Sequence, residues 1–170
     1  MSNQIDLFSE GLEKYPASTV FTENLAIALW LALGTVIISQ ISFFIGMIYI
    51  VAALIMILIV MRKLICVNCY YYDKRCHVGW GKISGLLFKK GSVEEFAGCA
   101  GQKVAPALFG LLALIPIVFG IISMVRDFSI DKLILFLLLI AVVVYSSVIS
   151  RKMSCAKCKM KLACPGSAAK

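Results

Sequence analysis

Seven cysteines and one histidine are the residues of this chain best suited to chemistry. Cys66 and Cys69 form a C-x-x-C pair with Cys76 following. Cys155 and Cys158 form a second pair with Cys164 following, and Cys99 lies between the two sets. C-x-x-C spacing lets two thiolates reach one ion from a single backbone turn, and zinc and iron–sulfur clusters both favour thiolate ligands. Two such pairs, each with a third cysteine at similar spacing, predict metal binding. The expected ligands are Cys66, Cys69, Cys76, Cys99, Cys155, Cys158 and Cys164. They could form one tetrathiolate site from Cys66, Cys69, Cys155 and Cys158, or two four-ligand sites that also use Cys99 and His77. Zinc is the expected metal, stapling the two sets together. A [4Fe–4S] cluster is the alternative. Cys164-Pro165 echoes the Cys-Pro that closes ferredoxin motifs, although the rest of that spacing is absent. His77 adjoins Cys76 and reads more simply as an exposed polar residue. Lys157, Lys159 and Lys161 are expected to offset thiolate charge and lower the cysteine pKa values. Thiol redox chemistry ranks third, because nothing resembles a thioredoxin-like βαβ unit around either pair.

These residues must be positioned by an apolar chain. Of 170 residues, 61% are hydrophobic and 15% charged, and the mean hydropathy is +0.95. Soluble domains run at about half apolar and a quarter charged. The composition excludes a disordered protein, a soluble nucleic-acid-binding domain and an ordinary cytosolic enzyme. The net charge of +8 therefore reads as anchoring charge at a lipid surface rather than as a nucleic-acid footprint. The N-terminus has no basic region before an apolar stretch, so no targeting peptide is expected. Ile5, Leu7, Phe8, Leu12 and Tyr15 could line one side of a short surface helix.

From Leu25 to Met61 the chain carries no charged residue. As one helix that stretch would be about 55 Å long, against a hydrocarbon core of about 30 Å. Two spans, roughly Ala17–Ile38 and Ser42–Met61, fit better, with a turn near Ser39–Ser42. Ala105–Val125 and Leu133–Ser150 supply two more. Pro106 suits a first helical turn, and Pro116 should kink its span. The expected divisions are an N-terminal segment 1–16, a first hairpin 17–61, a cysteine-rich segment 62–104, a second hairpin 105–150 and a cysteine-rich tail 151–170. Four spans put every basic residue except Arg126 and Lys132 on one side. The positive-inside rule makes that side cytoplasmic, together with both termini. The expected location is the cell membrane, multi-pass.

The halves look like copies. Arg62-Lys63-Leu64-Ile65-Cys66-Val67-Asn68-Cys69 and Arg151-Lys152-Met153-Ser154-Cys155-Ala156-Lys157-Cys158 both read R-K-[LM]-x-C-x-x-C, 89 positions apart (62 to 151). The expected fold is thus an all-α membrane protein: four transmembrane helices as two parallel-repeat hairpins, each followed by a cytoplasmic Cys-rich knuckle. Parallel repeats pack about an axis along the membrane normal, which would bring the knuckles together.

In the central segment, Tyr70, Tyr71, Tyr72 and Trp80 read as interfacial anchors. Lys82–Lys90 reads as a short helix on the inner leaflet, its lysines reaching anionic lipids. Ser92-Val93-Glu94-Glu95 reads as a capping box opening another helix toward Ala100.

The spans contain no histidine, which excludes a haem held by two histidines in the bilayer. Glu23 is the one ionisable residue near a span, expected at head-group level. No Ser-His-Asp set or carboxylate pair suggests catalysis. Three functions remain: a scaffold or subunit docking a protein partner at the cytoplasmic face through a metal–thiolate module, an iron–sulfur electron-transfer protein, and soft-metal binding or transport. The four-span shape loosely resembles small heavy-metal uptake proteins, whose cysteines lie in or beside the spans. This chain lacks the in-span pair.

Overall fold

A computed structural model describes residues 6–169. Ile5, part of the expected N-terminal surface helix, lies outside them. Among the described residues, secondary structure is helical apart from one isolated parallel bridge between Leu12 and Cys158. Four helices are long and apolar enough to cross a membrane: Ala17–Ser39, Phe43–Asn68, Ala100–Arg126 and Ile130–Ala156.

The first span is helix α1, Ala17–Ser39. It ends at Gln40–Ser42, so the long uncharged stretch folds as two helices. The second span comprises α2 (Phe43–Ile55), a π turn (Met56–Val60), α3 (Met61–Leu64) and a 3-10 turn (Cys66–Asn68). A short helix, α4, covers Trp80–Leu87. The third span is α5, Ala100–Arg126. The fourth comprises α6 (Ile130–Val144), a π turn (Tyr145–Ser150) and α7 (Arg151–Ala156). The two π turns begin 89 positions apart (56 to 145), the same interval that separates the two C-x-x-C pairs (66 to 155).

Helix α1 is the centre of the bundle. It packs against α2, α5 and α6, and buries Trp30, Leu31, Ile37 and Ile38. Close approach is made possible by small residues at the crossings. A Cβ on Gly34 would stand 3.3 Å from the Pro116 ring, and one on Gly120 would stand 2.7 Å from Phe136. Polar pairs add to this packing. Tyr49 donates to the Leu112 carbonyl at 2.9 Å, and Ser123 donates to Gln40 at 3.1 Å. In an apolar surround such hydrogen bonds satisfy groups that would otherwise be costly to bury.

Several local expectations are overturned. Helix α5 starts at Ala100, so Pro106 lies inside it rather than in its first turn. Residues after Ser92 form turns, with Glu95 N–H donating to the Ser92 carbonyl at 3.3 Å, instead of a capped helix. Glycines at 98 and 101 and the short reach to α5 leave too little chain for a helix to propagate. The described N-terminal segment is not a helix. Its backbone binds the C-terminal tail instead: Phe8 N–H donates to the Lys159 carbonyl at 2.9 Å, and Leu12 N–H to the Lys157 carbonyl at 2.9 Å.

Candidate functional site

The two C-x-x-C segments sit where their helices run out, and they make the same backbone turn. Cys69 N–H donates to the Cys66 carbonyl at 3.4 Å, and Cys158 N–H to the Cys155 carbonyl at 3.2 Å. One step on, Tyr72 N–H donates to Cys69 at 3.0 Å and Lys161 N–H to Cys158 at 3.0 Å. Each turn reverses the chain just past a helix end and leaves its two cysteines half-buried.

Around these turns the thiols gather into two adjoining sets. Cys69 lies within the electrostatic reach of Cys66, Cys76 and Cys158. Cys158 lies within reach of Cys155 and Cys164. The Cys164 thiol also approaches the Gln102 amide oxygen at 4.0 Å, near the start of α5 where Cys99 is the N-cap. Cys66, Cys69, Cys76, Cys99, Cys155 and Cys158 are free thiols. Among the described residues, no three His, Cys, Asp or Glu side chains converge as a closed ligand set. Sulfurs sharing one zinc ion would stand about 3.8 Å apart, given Zn–S bonds of about 2.3 Å. Cys66, Cys76 and Cys158 are thus neighbours of Cys69, and Cys155 and Cys164 of Cys158, without closing a ligand set among the described residues.

Their surroundings suit anionic sulfur. Arg62 is 5% exposed, its Nε has no hydrogen-bond partner, and its guanidinium lies near Cys66 and Cys76 and over the Trp80 ring at 5.7 Å. Ser84 is fully buried with its hydroxyl toward the Cys66 thiol. A buried cation with no carboxylate against it is costly. Thiolates at Cys66 and Cys76 would answer it. The donor set thus fits a soft metal in chemistry, though not yet in spacing.

Burial works the other way on proton affinity. It pushes the Cys69 and Cys158 thiols up from the ordinary range, and neighbouring sulfur charge pushes them further. The expectation that nearby lysines would lower the cysteine pKa values fails at these two positions. Lys157 is exposed, and Lys159 is engaged with Glu13 at 3.0 Å and with the Ser9 carbonyl at 3.0 Å.

A tyrosine joins the two sets. Tyr71 is 2% exposed; its hydroxyl donates to the Leu12 carbonyl at 2.6 Å and accepts from Lys159 N–H at 3.1 Å. Tyr72 donates to the Phe88 carbonyl at 2.7 Å, Tyr70 bonds Glu13, and Tyr15 donates to the Ser154 carbonyl at 2.7 Å. These tyrosines act as tertiary pins, each holding its segment to another part of the chain. His77 is not exposed either: it is half-buried with its ring 6.0 Å from Tyr15, and burial lowers its pKa while Glu23 opposes that shift.

Helix α1 reaches into the same region. Asn24 donates to the Val78 carbonyl at 2.9 Å, and Trp80 Nε1 donates to Asn24 at 3.4 Å. Glu23, one residue earlier, is 8% exposed and accepts from the Ser150 hydroxyl. Against family models, curated proteins and solved structures, the chain has no match.

Proposed function

We propose that this is a multi-pass cell-membrane protein that holds a cytoplasmic metal–thiolate module at the bilayer and docks a protein partner there. The observation that carries the reading is the buried Arg62, whose Nε has no hydrogen-bond partner, beside Cys66 and Cys76, with the buried Ser84 hydroxyl also at Cys66. Arg62 calls for negative charge on sulfur, and a bound cation holds thiolates ionised at neutral pH. The shared turns and the matching π turns support a duplicated hairpin-and-knuckle unit. The positive-inside rule supports a cytoplasmic site, since Arg126 and Lys132 are the only basic residues away from the cysteine side.

Zinc is the proposed metal; it supplies structural closure and no redox chemistry. Cys66, Cys69, Cys155 and Cys158 would hold it, with Cys76, Cys99 and Cys164 alongside. The loops would tighten as the ion binds, because metal binding and local folding are one equilibrium.

The test is metal analysis of anaerobically purified protein. Near-stoichiometric zinc, lost to the same extent in Cys66→Ser and Cys155→Ser, is the expected result. A broad absorption band at roughly 400 nm that bleaches on reduction would replace zinc with an iron–sulfur centre. Protein that retains neither metal and takes up none would overturn the module altogether.

A further inference from the structure

Apart from the thiols, the structure contains a cavity of about 110 Å³ between the start of α1 and the end of the fourth span. Glu23 lines it with Ser150, Thr19, Tyr15, Tyr145 and Lys157. Glu23 is 8% exposed, and its carboxylate accepts from the Ser150 hydroxyl. Among the described residues no lysine or arginine forms an ion pair with it. His77 feels the carboxylate but does not line the cavity. A buried carboxylate ordinarily has a cation against it. Here the space for one is a cavity.

The cavity's lining carries opposite charges, the buried Glu23 carboxylate and the exposed Lys157. The hydroxyl-bearing Tyr15, Thr19, Tyr145 and Ser150 line it too. Glu23 lies about 9 Å along α1 from Ala17, at 1.5 Å per residue, so the site is near the polar end of the spans. Tyr145 at 39% and Met153 at 61% exposure border it on the outer surface of the fourth span, where lipid would lie.

We infer that this cavity binds the head group of an aminophospholipid, its primary ammonium on Glu23 and its phosphate toward Lys157. A primary ammonium offers three donors to a carboxylate and its neighbouring hydroxyls. A quaternary choline offers none and is bulkier. Soluble phosphoethanolamine also carries an ammonium and a phosphate, but the exposed Tyr145 and Met153 of the fourth span, which border the cavity, favour the lipid.

The full chain would be placed in nanodiscs or mild detergent and titrated with phosphatidylethanolamine, its N-methyl and N,N-dimethyl forms, and phosphatidylcholine. Retained lipid would be counted by native mass spectrometry. Retention falling stepwise with methylation, by about fivefold or more overall, supports the inference, and this readout needs no variant. Glu23→Gln should abolish the discrimination while Lys157→Gln weakens all four lipids alike. Equal retention of the four by the unaltered protein would overturn the inference. So would displacement of bound lipid by millimolar phosphoethanolamine at no less than the lipid's own efficiency, which would make the ligand the soluble amine.

Discussion

Tyr71 joins the two cysteine loops through one hydroxyl, donating to Leu12 and accepting from Lys159. Tyr71→Phe keeps the ring and removes both bonds. The Leu12 carbonyl and Lys159 N–H would then be left without that partner, a loss of about 1–3 kcal/mol. A fall in melting temperature together with faster maleimide labelling of Cys158 is the expected outcome. An unchanged melting temperature would show that the hydroxyl is not a pin. Cys69 gives a pH prediction. Burial raises its thiol pKa in the folded state, so the unfolded chain releases this proton first. The metal-free fold is therefore fully stable below about pH 8.5, the ordinary thiol pKa, and loses stability as pH rises above it. Thermal unfolding of metal-free protein from pH 7 to 10 should show this loss, with a shallower slope for Cys69→Ser. Zinc must displace the same protons, so its affinity should climb over the lower part of that range.

At the level of elements, α4 is held to the first cysteine loop by proximity of backbone. A Cβ on Gly81 would stand 2.0 Å from the Tyr71 carbonyl oxygen and 2.7 Å from that of Lys74. Neither atom is the end of a flexible side chain. Gly81→Ala should therefore cost about 1–3 kcal/mol and push α4 away from Ser84's place beside Cys66. Its signature is faster alkylation of Cys66 with the bundle still helical by circular dichroism. The four long helices were legible in the sequence, because each is an apolar run longer than a bilayer needs. Their ends were less so. Gln102, Lys103 and Arg126 are polar yet good helix formers, so α5 continues through them beyond the apolar stretch. The π turns left no sequence signal. The partners of Tyr15, Tyr71 and Tyr72 could not be read either, since they are backbone carbonyls as far as 139 positions away.

Across the whole molecule, α1 supplies both the centre of the bundle and the ceiling of the thiol region. Trp30, Leu31 and Ile38 pack among the other spans, while Asn24 holds Val78 and Glu23 holds Ser150. That Glu23 would be buried could not be inferred from its place near a span boundary, because its partner belongs to the last helix. The two C-x-x-C steps and their matching turns were legible in the sequence. Their joining through Tyr71, and the buried Arg62 and Ser84 between them and the bundle, were not. A sidedness measurement addresses the whole architecture. In sealed right-side-out vesicles a membrane-impermeant maleimide should leave all seven thiols unlabelled, and opening the vesicles should expose them. Labelling of any thiol from outside would reverse the proposed orientation.

The strand-like pairing of Leu12 with Cys158 also has a consequence for biosynthesis. The segment around Leu12 waits for a partner synthesised 146 residues later (12 to 158), so the first thiol loop is made before the neighbours that cover it. During that interval Cys66, Cys69 and Cys76 lack Cys158 and the Lys159 backbone that Tyr71 holds. A protein truncated before Lys157 would therefore keep its first loop open to proteolysis.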